Sequence, residues 1–243
     1  MIKVGLSGAM GKMGRTIASV IASRRDLKLV LALEKKSHPS IGAIYPVGNS
    51  GIKVSEKPDD IEGVDVLIDF SVPSATIRNL EFCKKFKTNI VIGTTGFTSG
   101  EYNIIKRNAN FIAVLLSPNM SPGINLLFSI LRKVAGHLRK AYDVEIIDIH
   151  HRYKKDAPSG TAKKFADILK GKYKKEIPIH SLRVGEVFGD HSIIFAGNKE
   201  RIEFVHKATT REVFAEGAVM ATYFISRKKK GLFSMEDLFA HNI

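Results

Sequence analysis

Val4-Gly5-Leu6-Ser7-Gly8-Ala9-Met10-Gly11-Lys12-Met13-Gly14-Arg15 is the stretch that decides the fold. The run just before and into it, residues 2–7, is apolar and short, the pattern of a parallel strand buried on both faces. Residues 11–21 then place Met13, Ile17, Val20 and Ile21 on one face of a helix. Between strand and helix the glycines at 8, 11 and 14 form G-x-x-G-x-x-G, a relative of the dinucleotide fingerprint G-x-G-x-x-G. Gly8 suits the tight turn, Gly11 a close backbone approach to a pyrophosphate, and Gly14 close packing of helix on strand. Free N–H groups and the helix dipole at this end favour an anion. An acidic residue for the ribose hydroxyls belongs about 20 positions further on. Glu34 stands there, 20 residues after Gly14. Lys35 and Lys36 follow it; a cation there suits a 2′-phosphate, and equally a solvated loop, so NADH and NADPH both stay open as cofactors.

Working outward, apolar runs at 27–33, 64–70, 89–93 and 111–116 read as further strands, and 73–86 and 101–107 as helices between them. This alternation predicts an α/β fold with a Rossmann-type doubly wound parallel sheet. Its ligands sit beyond the carboxyl ends of the strands. Gly93, Thr94 and Thr95 fall at one such end, and Ser117, Pro118, Asn119 and Met120 at another. Asp69 and Ser71 fall at a third, where ligand contact and a plain helix cap or turn are equally good readings. After Ser121-Pro122-Gly123 the pattern changes. A long helix over 124–138, a strand over 144–149 and a helix over 160–169 precede strand-like pieces at 180–184, 192–195 and 201–206. These predict a second, α+β domain on an open mixed sheet. Helical patterns at 211–226 and 235–239 could return to the first domain. The expected division is therefore 1–121 with 211–243 for the dinucleotide and 122–210 for substrate and oligomerisation.

Composition narrows the function. The 243 residues are 44% hydrophobic, which excludes wholesale disorder, and the longest apolar stretch, near 124–131, is too short to span a bilayer. No secretory signal opens the sequence. The single cysteine, Cys83, forms no intramolecular disulfide and reads as a buried helix-face residue, so a cytoplasmic location is the simplest expectation. The net charge of +14 invites a nucleic-acid reading. Its distribution does not support one: residues 150–180 hold nine Lys and Arg against three Asp and Glu, with no recognition helix among them.

The stretch that leads into them is Asp148-Ile149-His150-His151-Arg152-Tyr153-Lys154-Lys155-Asp156-Ala157-Pro158-Ser159-Gly160-Thr161-Ala162. Two histidines, an arginine and two lysines gather at a strand end, and Pro158-Ser159-Gly160-Thr161 follows as a helix entrance whose free N–H groups can grip a carboxylate. Histidine titrates near neutrality, and lysines in a cationic cluster are lowered toward it, so the segment can both bind an acid and move a proton. A metal centre is not expected, since no acidic or cysteine set near the histidine pair completes one.

Taken together, these segments resemble the dihydrodipicolinate reductase (4-hydroxy-tetrahydrodipicolinate reductase) family. The resemblance covers the Gly8–Arg15 loop, Ile68-Asp69-Phe70-Ser71, Gly93-Thr94-Thr95-Gly96-Phe97 and the specific H-H-x-x-K-x-D-A-P-S-G-T-A string. It continues through Arg183-Val184-Gly185, His206-Lys207-Ala208, Phe214-Ala215-Glu216-Gly217-Ala218 and Gly231-Leu232-Phe233-Ser234-Met235. It implies NAD(P)H-dependent reduction of a small cyclic dicarboxylate in the diaminopimelate–lysine pathway, by a homotetramer. His150 and Lys154 take the proton-donor positions, and His151, Gly160 and Thr161 bind substrate. Gly8, Ala9, Met10, Gly11, Lys12, Met13, Glu34, Lys35, Gly93, Thr94, Thr95, Ser117, Pro118, Asn119 and Met120 hold the cofactor. Two positions depart from the family pattern: Asp148 stands where Glu is more usual, and Val72 where some members carry a basic residue near the NADPH phosphate. A semialdehyde dehydrogenase is the alternative enzyme, but Cys83 is misplaced for thioester chemistry.

Overall fold

The computed structural model describes residues 1–48, 51–139, 141–173 and 175–239. They form two compact units, one running to Met120 and resuming at Phe214, the other Ser121–Val213.

The first unit is a seven-stranded parallel sheet. Its strands are β1 (Ile2–Ser7), β2 (Leu27–Leu33), β3 (Val54–Ser55), β4 (Val66–Asp69), β5 (Asn89–Ile92), β6 (Ala113–Leu116) and β11 (Gly231–Phe233), in the order β11-β6-β5-β4-β1-β2-β3. Helices cover both faces, as burial of both faces of a parallel sheet demands. On one side α1 (Lys12–Ala22) and α6 (Glu212–Ser226) pack Ile17, Ile21, Ala218 and Ile225 against Val4, Leu6 and Ile68. On the other, α2 (Pro73–Phe86) and α3 (Ser99–Asn108) bring Leu80, Cys83 and Ile105 onto Leu67, Ile90 and Ile92. Cys83 is fully buried, and burial pushes its thiol pKa well up.

Two strands are additions to the sequence reading. The two-residue β3 is too short for a period, and β11 is three residues opened by a glycine. Asn89 explains why the chain returns at β11. Its amide donates to the carbonyls of Ile225 and Lys228 at 2.9 and 3.0 Å, and its carbonyl accepts from Ala113 N at 2.9 Å. The end of α6 is thereby tied to β5 and β6. The 211–226 helical pattern appears as α6, and 235–239 as a 3-10 turn over Met235–Leu238.

The second unit is a four-stranded mixed sheet of β7 (Asp143–His150), β8 (Ile179–Arg183), β9 (Asp190–Ala196) and β10 (Arg201–Lys207), in the order β10-β9-β7-β8. β7 runs parallel to β8 and antiparallel to β9. Strict alternation along β7 turns Val144, Ile146, Asp148 and His150 toward the buried side. There α4 (Pro122–Leu138) and α5 (Gly160–Tyr173) pack around Phe128 and Phe165, whose rings lie 4.5 Å apart. Of the lysines after Thr161, Lys164 lies over the Phe128 ring, Lys170 pairs with Glu176 and Lys175 with Asp143. Lys174 lies outside the described residues.

Candidate functional site

In the first unit the three glycines separate by function. Gly8 has φ +73°, and a Cβ there would lie 2.3 Å from the Phe70 carbonyl oxygen, so turn and close approach both require glycine. At Gly14 a Cβ would meet the Gly8 oxygen at 2.3 Å; its partner is the loop itself rather than a strand. Gly11 is different, because a Cβ would touch only the Gly8 oxygen, at 3.2 Å. It is exposed at the N-cap of α1, where no side chain caps the helix and no acid occupies the first turn. An uncapped, glycine-opened helix end fits a pyrophosphate.

Beside it lies a cleft of about 480 Å³ lined by Gly8, Gly11, Glu34, Lys35, Lys36 and Arg78, among others. Among the described residues no carboxylate pairs with the side chains of Lys35, Lys36 or Arg78. Glu34 turns toward the loop: one oxygen accepts from Met10 N at 3.1 Å and the other from Lys35 N at 3.0 Å. Val72 lines the same cleft, so Arg78 brings a cation there from α2. Nothing in the sequence pattern marked Arg78, which reads as one more exposed position on a helix.

The other expected cofactor residues lie at the ends of β5 and β6. Gly93 gives way to the Phe70 ring, which a Cβ would overlap at 2.2 Å. Thr94 is buried and donates to Asp69 Oδ1 at 2.9 Å, whereas Thr95 is exposed. Ser117 donates to the Asn119 carbonyl at 2.7 Å, Pro118 is exposed, and Met120 is buried with Ala9 in the core, so those two could offer only backbone to a ligand. Asp69 is fully buried and accepts from Ser71, Thr76, Asn79 and Thr94. Its ring of neutral donors holds the turn after β4, while Ser71 also lines the cleft.

In the second unit Asp148 is the hub. It is fully buried at the end of β7. Its Oδ2 accepts from Ser159 N at 2.9 Å, Ser181 Oγ at 3.0 Å and Arg183 Nη2 at 3.3 Å; its Oδ1 takes Arg183 Nη1 at 3.4 Å. His150 Nδ1 lies 2.5 Å from Oδ1, off the ring's N–H direction. Burial works to raise the Asp148 pKa, but the donations from Ser159, Ser181 and Arg183 outweigh it and hold the carboxyl below its ordinary range. Burial also lowers the His150 pKa, against the raising influence of Asp148, with Lys154 and Arg183 adding to the lowering.

His150 and Lys154 share this region, and Lys154 Nζ pairs with Asp156 Oδ1 at 2.8 Å. His151 is half-buried, its ring 6.3 Å from that of Tyr153. Gly160 opens α5 into free space, with no atom within 4 Å of where a Cβ would stand, and Thr161 follows. Ser159 caps that helix, accepting from Ala162 N at 3.1 Å, while its hydroxyl meets His191 Nε2 at 3.2 Å. Burial, with the neighbouring His150 adding to it, lowers the His191 pKa to about 3, so the ring stays neutral.

The sequence reading found nothing to complete a metal site beside the histidine pair. The fold does gather Asp148, His150 and His191, with ligand-type atoms within 4.8 Å of one another. However, the Asp148 oxygens are already taken by the Arg183 guanidinium and two further donors, which leaves a cation little to bind. Sequence reasoning named Arg183 within the resemblance without giving it a role, and passed over His191. They arrive from β8 and β9, more than 30 positions from Asp148, and only the strand register joins them to it.

A dinucleotide loop on a parallel sheet, followed by a mixed-sheet unit that gathers proton-carrying side chains, defines a two-domain nicotinamide-dependent oxidoreductase. The family follows from comparison with known proteins. The chain belongs to the dihydrodipicolinate reductase family: residues 2–120 match its N-terminal part and residues 123–239 its C-terminal part. It is 39% identical to the 4-hydroxy-tetrahydrodipicolinate reductase of Methanocaldococcus jannaschii, over 100% of this chain and 98% of that one. Identity to the enzyme of the same name from Nitrosomonas eutropha is also 39%, over 98% of both chains. The solved dipicolinate-bound dihydrodipicolinate reductase from Paenisporosarcina sp. TG-14 superposes with a TM-score of 0.81 at 25% identity, covering 98% of this chain and 99% of that one.

Proposed function

We propose that this chain reduces 4-hydroxy-tetrahydrodipicolinate to tetrahydrodipicolinate with NADH or NADPH, in the diaminopimelate–lysine pathway. The observation that carries this reading is the placement of His150 and Lys154 in one region with the open helix entrance at Gly160 and Thr161. When bound, the nicotinamide supplies a hydride for the C4 position of the unsaturated ring, from which the substrate's hydroxyl departs as water. The rest falls to the protein. The amides at Gly160 and Thr161, together with His151, hold the substrate carboxylates. The ring nitrogen gains electron density as C4 is reduced, and the His150–Lys154 pair supplies the proton that completes the step. Lys154 pairs with Asp156, and burial lowers the His150 pKa.

For the cofactor, Glu34 keeps acceptor capacity toward ribose hydroxyls, and the unpaired Lys35, Lys36 and Arg78 supply positive charge for a 2′-phosphate. This combination supports use of both nucleotides. Gly93, Thr94, Thr95 and Ser117, Pro118, Asn119, Met120 line the remaining strand ends, where nicotinamide and its ribose belong. The open face of the second unit's sheet presents Leu182 and Val205, 46% and 47% exposed, beside Ile147 and Ile194. That face, whose aliphatic residues are flanked by the Glu145–His180 and Arg201–Glu203 pairs, supports assembly into a homotetramer. Among the described residues no helix is long and apolar enough to cross a membrane, in keeping with a cytoplasmic enzyme.

His150→Ala and Lys154→Ala should each lower kcat by about 10²–10⁴-fold. Cofactor affinity, measured by nucleotide fluorescence, should stay within about twofold. Wild-type turnover in both single variants would remove this reading.

A further inference from the structure

The contacts of Asp148 point past its own strand. One carboxylate touches the proton-handling imidazole and also accepts the Ser159 amide, one residue before the first residue of α5. The same oxygens receive Arg183, which in turn donates to the Asp156 carbonyl at 2.6 Å, and Asp156 is the ion-pair partner of Lys154. Three segments are therefore held to one buried charge: the end of β7, the 154–160 loop with its helix entrance, and, from further along the chain, the end of β8.

We infer that Asp148 and Arg183 are positioning residues for the reduction. Their buried ion pair sets the His150 ring and the carboxylate-binding end of α5 in fixed relation, and anchors the Lys154 loop to both. This inference rests on the reading of His150 and Lys154 as the proton-supplying pair. Asp148 is fully buried and the Arg183 guanidinium is turned onto it. Asp148 acts through His150 and Ser159, and Arg183 acts through Asp148 and the 156 carbonyl. An ionised carboxylate with no exposure to water is costly to keep. A cap alone could be made by a neutral side chain, as Ser121 does for α4, accepting from Ile124 N at 3.3 Å. The charge is therefore explained by what else it faces. The charged and titratable groups around His150 are Asp148 on its own strand, Lys154 and Asp156 in the loop, Arg183 on β8 and His191 on β9. Asp148 is the group among them that stabilises the imidazolium form.

The test compares wild type, Asp148→Asn, Asp148→Glu, and Asp148→Asn combined with Arg183→Gln. The double variant removes both buried charges together and keeps the protein foldable if the single one is not. Three readouts are taken on the intact protein: kcat, the pH profile of kcat/KM, and affinity for NADH. The expected result is a fall in kcat of at least about tenfold in Asp148→Asn and in the double variant. In Asp148→Asn the limb of the profile governed by His150 should move to lower pH, since the group that raises its pKa is gone, and in the double variant by less, since Arg183, which lowers it, is gone too. Asp148→Glu should recover part of both, and NADH affinity should stay within about twofold throughout. A uniform loss of rate with the limb unmoved, or wild-type kcat in a folded variant, would overturn the inference. Should the single variant not fold, the double variant decides, and should neither fold, Asp148→Glu decides by whether its limb follows the displaced carboxylate. The two readings fail separately: loss of rate in His150→Ala with an unmoved profile in the Asp148 variants discards positioning alone.

Discussion

Two aspartates stand at or near strand ends in this molecule with no exposure to water, Asp69 as the last residue of β4 and Asp148 two residues before the end of β7. Each accepts hydrogen bonds from residues near the start of the following helix. Around Asp69 every donor is neutral: a backbone amide, three hydroxyls and a carboxamide. Around Asp148 one partner is a guanidinium and another an imidazole. The first arrangement fixes a turn. The second fixes a turn and also bears on the proton affinity of a side chain, Asp148 raising the His150 pKa against its lowering by burial. Burial of a carboxylate is thus no sign of function by itself; the chemistry of its partners is what separates the two.

The largest expected effect that separates them is on stability. Asp69→Asn puts an NH₂ group among donors that had an acceptor, and should cost about 2–4 kcal/mol in denaturant unfolding. The pH profile of kcat/KM in that variant should keep its limbs, unlike the Asp148 variants. A moved limb in Asp69→Asn would erase the distinction.

Acid should find the second unit first. Unfolded His191 binds a proton near its ordinary 6.5, while the folded ring resists protonation until about 3. Stability is therefore full above that ordinary value and is lost as pH falls from it toward 3, at a limiting slope of roughly 1.4 kcal/mol per pH unit. His150 and His206, both lowered by burial, add losses of the same sign. Asp148, held below its ordinary range, loses its contribution only at still lower pH. Urea midpoints across this range should fall with pH, and His191→Gln should flatten the slope. An unchanged slope would show that the ring is not held neutral.

The smallest effect concerns the first unit's ligand face. Gly11→Ala meets only one loop oxygen at 3.2 Å, so the fold should survive with little change in Tm. Dinucleotide affinity should weaken by about tenfold, because the added methyl stands where a pyrophosphate approaches the helix end. Unchanged affinity by fluorescence titration would place the nucleotide elsewhere.

The sequence disclosed unequal shares of these two regions. The Gly8–Gly14 turn was legible because strand, turn and helix are contiguous, and each declares itself by period or by glycine. The residues His150 through Thr161 were legible for the same reason, being one stretch at a strand end. The roles of Arg183 and His191 were not, because the two reach Asp148 through strand pairing, and register between strands 40 residues apart leaves no local pattern. Arg78 was hidden differently, as an exposed cation on a helix that turns it into the cleft. The strands β3 and β11 were too short to show any period at all.

The most direct measurement follows the near-ultraviolet absorbance of NADH and, separately, NADPH mixed with this protein and the cyclic product of the preceding synthase. The account predicts substrate-dependent loss of absorbance with both nucleotides, abolished in His150→Ala combined with Lys154→Ala. Absorbance that holds steady with both nucleotides, in a folded protein that binds them, would contradict it.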